Sequence, residues 1–271
     1  MESRGIYIKY IRIKQVLYKL TNGCTDPVRS ILENDILAIV KLYNNPQGNL
    51  TLVNEYICYR LSNLLELPMP ESGICIADAN TISNDDDLII ENYGPCFYSK
   101  YLEKSVTLKN SIIPLLSNRE DFYKLILFDH IVYNKDRNIF NLLVQFYKSN
   151  ISFTLIDHSH VFKNETIWDA QCFKQGMNEL DFNDNIIIKS NDDIYSMFYH
   201  TMNISLEQLK QTSLLFKEKI SYDIINNIIK EIPNEWGLNS SNGLALINYI
   251  LYRLEHIDDI CLLIYKSIKN I

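Results

Sequence analysis

The sequence predicts an α+β protein with its strands gathered in the first third and its helices in the last. Two patterns carry that prediction. Short runs rich in β-branched and aromatic residues, separated by Asn, Asp, Gly and Pro, fill much of residues 7–91. Apolar residues at helical spacing fill most of residues 206–257. The 271 residues, 47% apolar and 22% charged, can bury a substantial core, and the length suits either one large domain or two lobes sharing a cleft.

Lys and Arg number 26 against 33 Asp and Glu, so the net charge is −7 and direct nucleic-acid binding is not expected. The longest uncharged stretch, Trp236 to Tyr252, contains Ser240, Ser241 and three Asn and is no membrane span. The N-terminal MESRGIYIKY lacks the apolar centre of a signal peptide. A cytoplasmic protein with no membrane contact is the expectation. Cys24, Cys58, Cys75, Cys96, Cys172 and Cys261 are scattered, without a C-x-x-C pair, and read as reduced core thiols.

In chain order, Tyr7 to Leu20 suits one or two half-buried strands, with Arg4, Lys9, Arg12, Lys14 and Lys19 on a solvated face. Residues 21–27 gather loop formers. Ile31 to Glu33 and Ile36 to Tyr43 flank a hairpin turn at Asn34-Asp35. Lys41 is the charged residue of ILAIVKLY, so its amine must reach the surface or meet an anion. Leu50 to Glu66 predicts a core-facing helix through Val53, Ile57, Leu61 and Leu64, with Glu55 in its first turns where the dipole favours a carboxylate. Gly73 to Ala77 and Leu88 to Glu91 predict two further strands around a polar Asp85-Asp86-Asp87 loop.

A buried helix is expected from Arg119 to Tyr133, followed by the loop NKDRNIFN at 134–141 and a hairpin of Ile139 to Phe146 with Ile151 to Ile156 around 148–150. Asp136, Asn141 and Asp157 therefore emerge from one loop and from the mouth of the adjoining hairpin. Phosphoryl transfer needs such oxygens, because a triphosphate is held through magnesium by hard ligands while a carboxylate orients the attacking hydroxyl. Asp136-x-x-x-x-Asn141 and the later Asp157 have the spacing protein kinases use, and Lys41 and Glu55 precede them in the kinase order. Beyond them, Ile220 to Ile229 and Ile247 to Leu254 predict long helices, the latter capped within Ser240 to Asn242. Trp236 is expected to lock a helix connection, and Arg253 to form a buried pair or reach a partner.

The stretches IVKLYNNPQGNLTLVNEYICYRLSNLLELPMP (39–70), LFDHIVYNKDRNIFNLLV (127–144) and FTLIDHSHVF (153–162) resemble HipA-like kinases, in particular the shorter HipA-like kinase domain without an added N-terminal region. EIPNEWGL (231–238) with LINYILYRLEHI (246–257) is similar to that group's C-terminal helical end. The resemblance implies a bilobal protein-kinase-like fold: an antiparallel-sheet N-terminal lobe over 1–98, a mainly helical C-terminal lobe over 99–271, and ATP with Mg2+ in the cleft. It implies transfer of the γ-phosphate to a protein Ser or Thr, with autophosphorylation at Thr21, Thr25 or Ser30. By motif, Lys41 would contact the phosphates and pair with Glu55, Asp136 would orient the acceptor hydroxyl, and Asn141 and Asp157 would hold magnesium. Residues 21–26, with Gly23 and Thr25, would form the phosphate loop. Residues 91–97, with Glu91, Tyr93 and Gly94, would form the hinge lining the adenine pocket. The implied partners are a protein substrate and an antitoxin-like or regulatory protein.

Departures from the wider kinase pattern are visible. The phosphate loop has one glycine, His158-Ser159 stands where protein kinases have Phe-Gly, and Asn138 replaces the His that follows Asp-Arg in HipA itself. Three other readings compete. A pseudokinase would keep the fold and act as a nucleotide- or partner-binding module. A lipid or small-molecule kinase would share the catalytic loop. A metal hydrolase would use His130, Asp136, Asp157, His158 and His160, although His158 and His160 alternate faces on an extended segment.

Overall fold

The computed structural model describes residues 10–21, 23–84, 86–148 and 150–269. Arg4, Lys9 and the start of the first expected strand, with Asn22, Asp85 and the central residue of the 148–150 turn, lie outside the described residues. Five strands, β1 (Ile11–Lys19), β2 (Val28–Leu32), β3 (Leu37–Lys41), β4 (Ser72–Ala77) and β5 (Gly94–Lys100), form a closed barrel in the order β1-β2-β3-β5-β4. The expectation of an all-antiparallel sheet is corrected here. The seam is a short parallel pairing of Ile11 with Cys75 and Arg12 with Ile76. Only two residue pairs make it, so it imposes no pattern on the sequence. Ile13, Val16, Leu32, Val40, Cys75 and Cys96 fill the interior. The β2–β3 hairpin turns at Asn34-Asp35 as the sequence requires, with Asp35 left-handed at φ 59 and Asn34 Oδ1 accepting from the Ile36 amide.

Leu88 to Glu91 is not a strand. Ile90 to Asn92 is a single 3-10 turn, and Ile89 and Ile90 are exposed. The missed strand is β5, which lies between β3 and β4 and continues to Lys100. Gly94-Pro95 at its start disguised it, since both residues ordinarily break strands. The cation-bearing face of β1 is solvated and paired: Arg12 with Asp78 at 2.7 Å, Lys14 with Asp35 at 2.9 Å, Lys19 with Asp26 at 2.7 Å.

Helix α1 (Leu50–Leu64) follows β3 through the Asn45 to Gly48 turn. Its Leu52, Val53, Ile57 and Leu61 pack into the core of the C-terminal part, not into the barrel interior. That core is built on α2 (Phe122–Ile131), which is buried on nearly every side, and on a three-stranded antiparallel sheet of β6 (Ser105–Thr107), β7 (Leu142–Tyr147) and β8 (Asn150–Leu155). Seven further helices complete it: α3 (Ala170–Asn178), α4 (Ile186–Ser190), α5 (Asp192–Tyr199), α6 (Leu206–Lys219), α7 (Tyr222–Lys230), α8 (Ser240–Glu255) and α9 (Ile257–Lys269).

Asn239 caps α8, accepting from the Asn242 amide at 2.8 Å, one residue before the expected cap. Arg253 pairs internally with Asp181 at 2.6 Å, both buried. Cys58, Cys75, Cys96 and Cys261 are buried thiols, whereas Cys24 is exposed and Cys172 half-buried, so the core reading fails for those two. Among the described residues no helix is long and apolar enough to cross a membrane.

Candidate active site

Between the barrel and the helical part lies a cavity of about 240 Å³, walled by Ile39, Lys41, Phe97, Leu143, Ile156 and Asp157 among others. Lys41, the last residue of β3, points inward. Its ammonium donates to Glu55 Oε1 on α1, to Asp157 Oδ1 at 2.7 Å and to Ser159 Oγ at 2.7 Å. Glu55 is 2% exposed and also accepts from the His158 amide at 2.9 Å and the Ser159 hydroxyl at 3.1 Å. The helix-dipole explanation of Glu55 is thereby replaced: the side chain is buried and committed to Lys41.

One ammonium thus serves two carboxylates. Burial works against the charge of Lys41, but Asp157 and Glu55 outweigh it and hold the lysine above its usual pKa. Burial pushes the Glu55 carboxyl up despite Lys41, and the charge of Asp157 acts in the same direction. Burial also opposes ionisation of Asp157, yet Lys41 prevails and holds that carboxyl below the usual range. Asp157 has a left-handed backbone at φ 57, a conformation seldom held outside turns and functional sites.

Behind Asp157 runs a second polar cluster. Arg137 donates to both oxygens of Asp129, at 3.1 and 2.8 Å, and to the carbonyls of Asn141 and Ile156, and meets His158 Nε2 at 2.8 Å. Asp129 also accepts from Asn134 at 2.9 Å and Tyr195 at 3.0 Å. Arg137 is therefore an ion-pairing residue within the protein. Bonded to this frame, the 134–141 loop presents an exposed Asp136. Asn141 Nδ2 donates to the Asp136 carbonyl at 2.7 Å, and Asn138 Nδ2 donates to its carboxylate Oδ1 at 3.2 Å. Asn138 thus supplies a hydrogen bond to the carboxylate.

The donor set suits a hard divalent cation. Among the described residues nothing donates to Asp157 Oδ2 or Asn141 Oδ1, so two oxygens remain for a metal that would complete its shell with phosphate and water. Among the described residues no three His, Cys, Asp or Glu side chains converge as a metal-ligand group, and His158 is engaged with Arg137.

Of the expected site residues, Lys41, Glu55 and Asp157 line the cavity, and Asp136, Asn141, Glu91, Tyr93, Gly94, Gly23 and Thr25 do not. Glu91 is exposed, with its carbonyl accepting from Asn44, and Tyr93 packs on the barrel core. Gly94 backs onto the Tyr43 ring, where a Cβ would come within 2.9 Å. Of the expected hinge segment 91–97, Phe97 lines this cavity and Glu91, Tyr93 and Gly94 do not; the rest of that wall is the far end of β5 and the residues just after it, Ser99 to Leu102. Gly23 and Thr25 also stand off. Leu20 and Pro27, the ends of their loop, touch the cavity, while Thr25 lines a separate hollow with Asn44 and Asn45. Ser159 was missed by sequence reasoning. Its position two residues after Asp157 was the available signal, hidden because the usual residue there is glycine.

A strand-borne lysine paired to a helix glutamate, facing an Asp beyond a hairpin, is the arrangement of a protein-kinase-like fold. Comparison with known families agrees: the model for HipA-like kinase matches residues 13–259, and the chain belongs to that family. Among solved structures it is similar to the Helicobacter pylori proinflammatory kinase CtkA, at 15% identity and TM-score 0.62, covering 95% of this chain and 99% of that one. It is also similar to the Golgi casein kinase with Mn/ADP bound, at 11% identity and TM-score 0.51, covering 93% and 73%. Shewanella oneidensis HipA, in a complex with HipB and operator DNA, matches at 12% identity and TM-score 0.41, covering 82% and 58%. No curated protein sequence matches the chain.

Proposed function

We propose that this chain transfers the γ-phosphate of ATP, with Mg2+, to a Ser or Thr hydroxyl of a protein, and that its two lobes meet near the end of β5. The carrying observation is the Lys41 ammonium held between Glu55 and Asp157 at the cavity, with Asn141 tying the Asp136 loop alongside. Lys41 would bind nucleotide phosphate oxygens, and Glu55 keeps it charged and aimed. Asn141 and Asp157 would hold the metal, which when bound neutralises charge on the phosphate oxygens. Asp136, exposed and oriented by Asn138, would accept the proton of the acceptor hydroxyl.

Of the three hydroxyls considered for autophosphorylation, Thr25 and Ser30 are buried and Thr21 is exposed, which makes Thr21 the reachable one in this conformation. A regulatory protein partner of the antitoxin kind belongs to the same proposal. Nucleotide-induced thermal stabilisation tests the metal and base assignments separately. Asp157→Ala should lose the Mg2+-dependent part of the shift, and Asp136→Ala should keep it. Equal Mg2+-dependent shifts in wild type and Asp157→Ala would refute the metal assignment.

A further inference from the structure

Three consecutive residues of α1 reach three different parts of the molecule, as side chains about 100° apart around a helix must. Glu55 holds Lys41, Tyr56 donates to Glu231 at 2.7 Å, and Asn54 turns to the segment that follows Asp157. Asn54 is fully buried and its amide is fully used. Nδ2 donates to the Ser159 carbonyl at 2.7 Å and to the Glu165 carbonyl at 3.1 Å, and Oδ1 accepts from Trp168 Nε1 at 2.9 Å.

Each of those partners is connected to the site. Ser159 is the hydroxyl bonded to both Lys41 and Glu55. Glu165 pairs at 3.0 Å with Lys135, the residue before Asp136. Between them Phe162, Asn164 and Glu165 all have left-handed backbones, at φ 66, 67 and 58. Such a segment keeps its shape only where surrounding contacts over-determine it. Trp168 is packed against Phe162 and Phe173, so its indole offers Asn54 a fixed donor.

We infer that Asn54 is a positioning residue for phosphoryl transfer: its amide fixes the strained 159–168 segment to α1, and so keeps the Lys41–Glu55–Ser159 cluster and the Asp136 loop in one relation. The inference rests on the kinase reading. Asn54 itself touches no expected ligand position, so losing it should lower turnover and not nucleotide affinity.

The test compares wild type with Asn54→Asp, which keeps the acceptor for Trp168 but sets a carboxylate against two carbonyls. Trp168→Phe is the milder second variant, removing one donor while retaining an aromatic ring. Both are assayed for transfer from ATP, for KM of ATP, for ADP binding by calorimetry and for amide hydrogen exchange. The expected result is a fall in kcat on the order of 10- to 100-fold for Asn54→Asp, smaller for Trp168→Phe. KM and ADP affinity should stay within about twofold. Exchange should rise over 158–168 and not in β7 or β8. Unchanged kcat, or a loss of activity in step with faster exchange throughout the molecule, would overturn the inference. The wild-type control separates the two failures. No transfer by wild type removes the kinase reading and this inference with it, whereas transfer that Asn54→Asp leaves intact removes the inference alone.

Discussion

Two polar clusters meet at the peptide between Asp157 and His158, and they are built differently. Around Arg137, both partners of the ion pair are fully buried, and every guanidinium nitrogen and both Asp129 oxygens have protein partners. Around Lys41, one ammonium serves two carboxylates, and the Asp157 side chain is 39% exposed. The Arg137–Asp129 pair spends its bonding capacity on the protein and shapes the 134–141 loop. The second cluster keeps oxygens and charge available at a cavity. Burial alone does not mark a functional site; unspent capacity beside open volume does.

Breaking the first cluster should have the largest effect. Arg137→Ala leaves Asp129 as an unpaired buried carboxylate and should cost about 3–5 kcal/mol of stability, read from the urea midpoint. A variant that stays within about 1 kcal/mol of wild type would show that the frame is not structural.

Next in size is a pH effect from the same half of the molecule. His130 is buried beneath Arg253, and burial first and that guanidinium second push its pKa down to about 3 from 6.5. The unfolded chain takes up a proton below about pH 6.5 and the folded one does not. Stability is therefore full above that value, and falls by about 1.4 kcal/mol per pH unit as pH drops towards the folded value. Urea titrations between pH 7 and 5 should show the slope in wild type and a shallower one in His130→Phe.

Smaller again is Trp236→Phe. It strands the Pro95 carbonyl, which accepts from Trp236 Nε1 at 2.8 Å, and should cost about 1–3 kcal/mol. The smallest change should come from Asp157→Asn, whose half-exposed carboxylate is screened by solvent, so stability should move by less than about 1 kcal/mol while Mg2+-dependent nucleotide binding is lost. A large loss of stability there would erase the contrast between the clusters.

Much of this was legible in the sequence because it is local. The turn at Asn34-Asp35, the apolar spacing of α1 and the Asp136-x-x-x-x-Asn141 spacing are short-range patterns; the order Lys41, Glu55, Asp136, Asn141, Asp157 spans the chain and reads as a kinase order, and the structure brings Lys41, Glu55 and Asp157 into one cluster. What was not legible depends on pairing across the chain. The β1–β4 seam rests on two residue pairs, and β5 hid behind Gly94-Pro95, which moved the expected cavity wall to Glu91, Tyr93 and Gly94. The pairing of Arg137 was not legible because its partner Asp129 sits on the preceding helix α2. Asn54 gave no signal, since an Asn beside a conspicuous Glu in an apolar helix looks incidental until its three partners are in place.

In the proposed function the Lys41–Glu55–Asp157 cluster and Asp136 together transfer phosphate. Purified wild type and Asp136→Ala, each incubated with γ-labelled ATP and Mg2+ alone and with a mixed Ser/Thr acceptor peptide pool, give the most direct test. Label entering protein or peptide with wild type only, while both chains bind nucleotide, is the predicted result. Equal labelling by the two, or none by either with nucleotide bound, would contradict it.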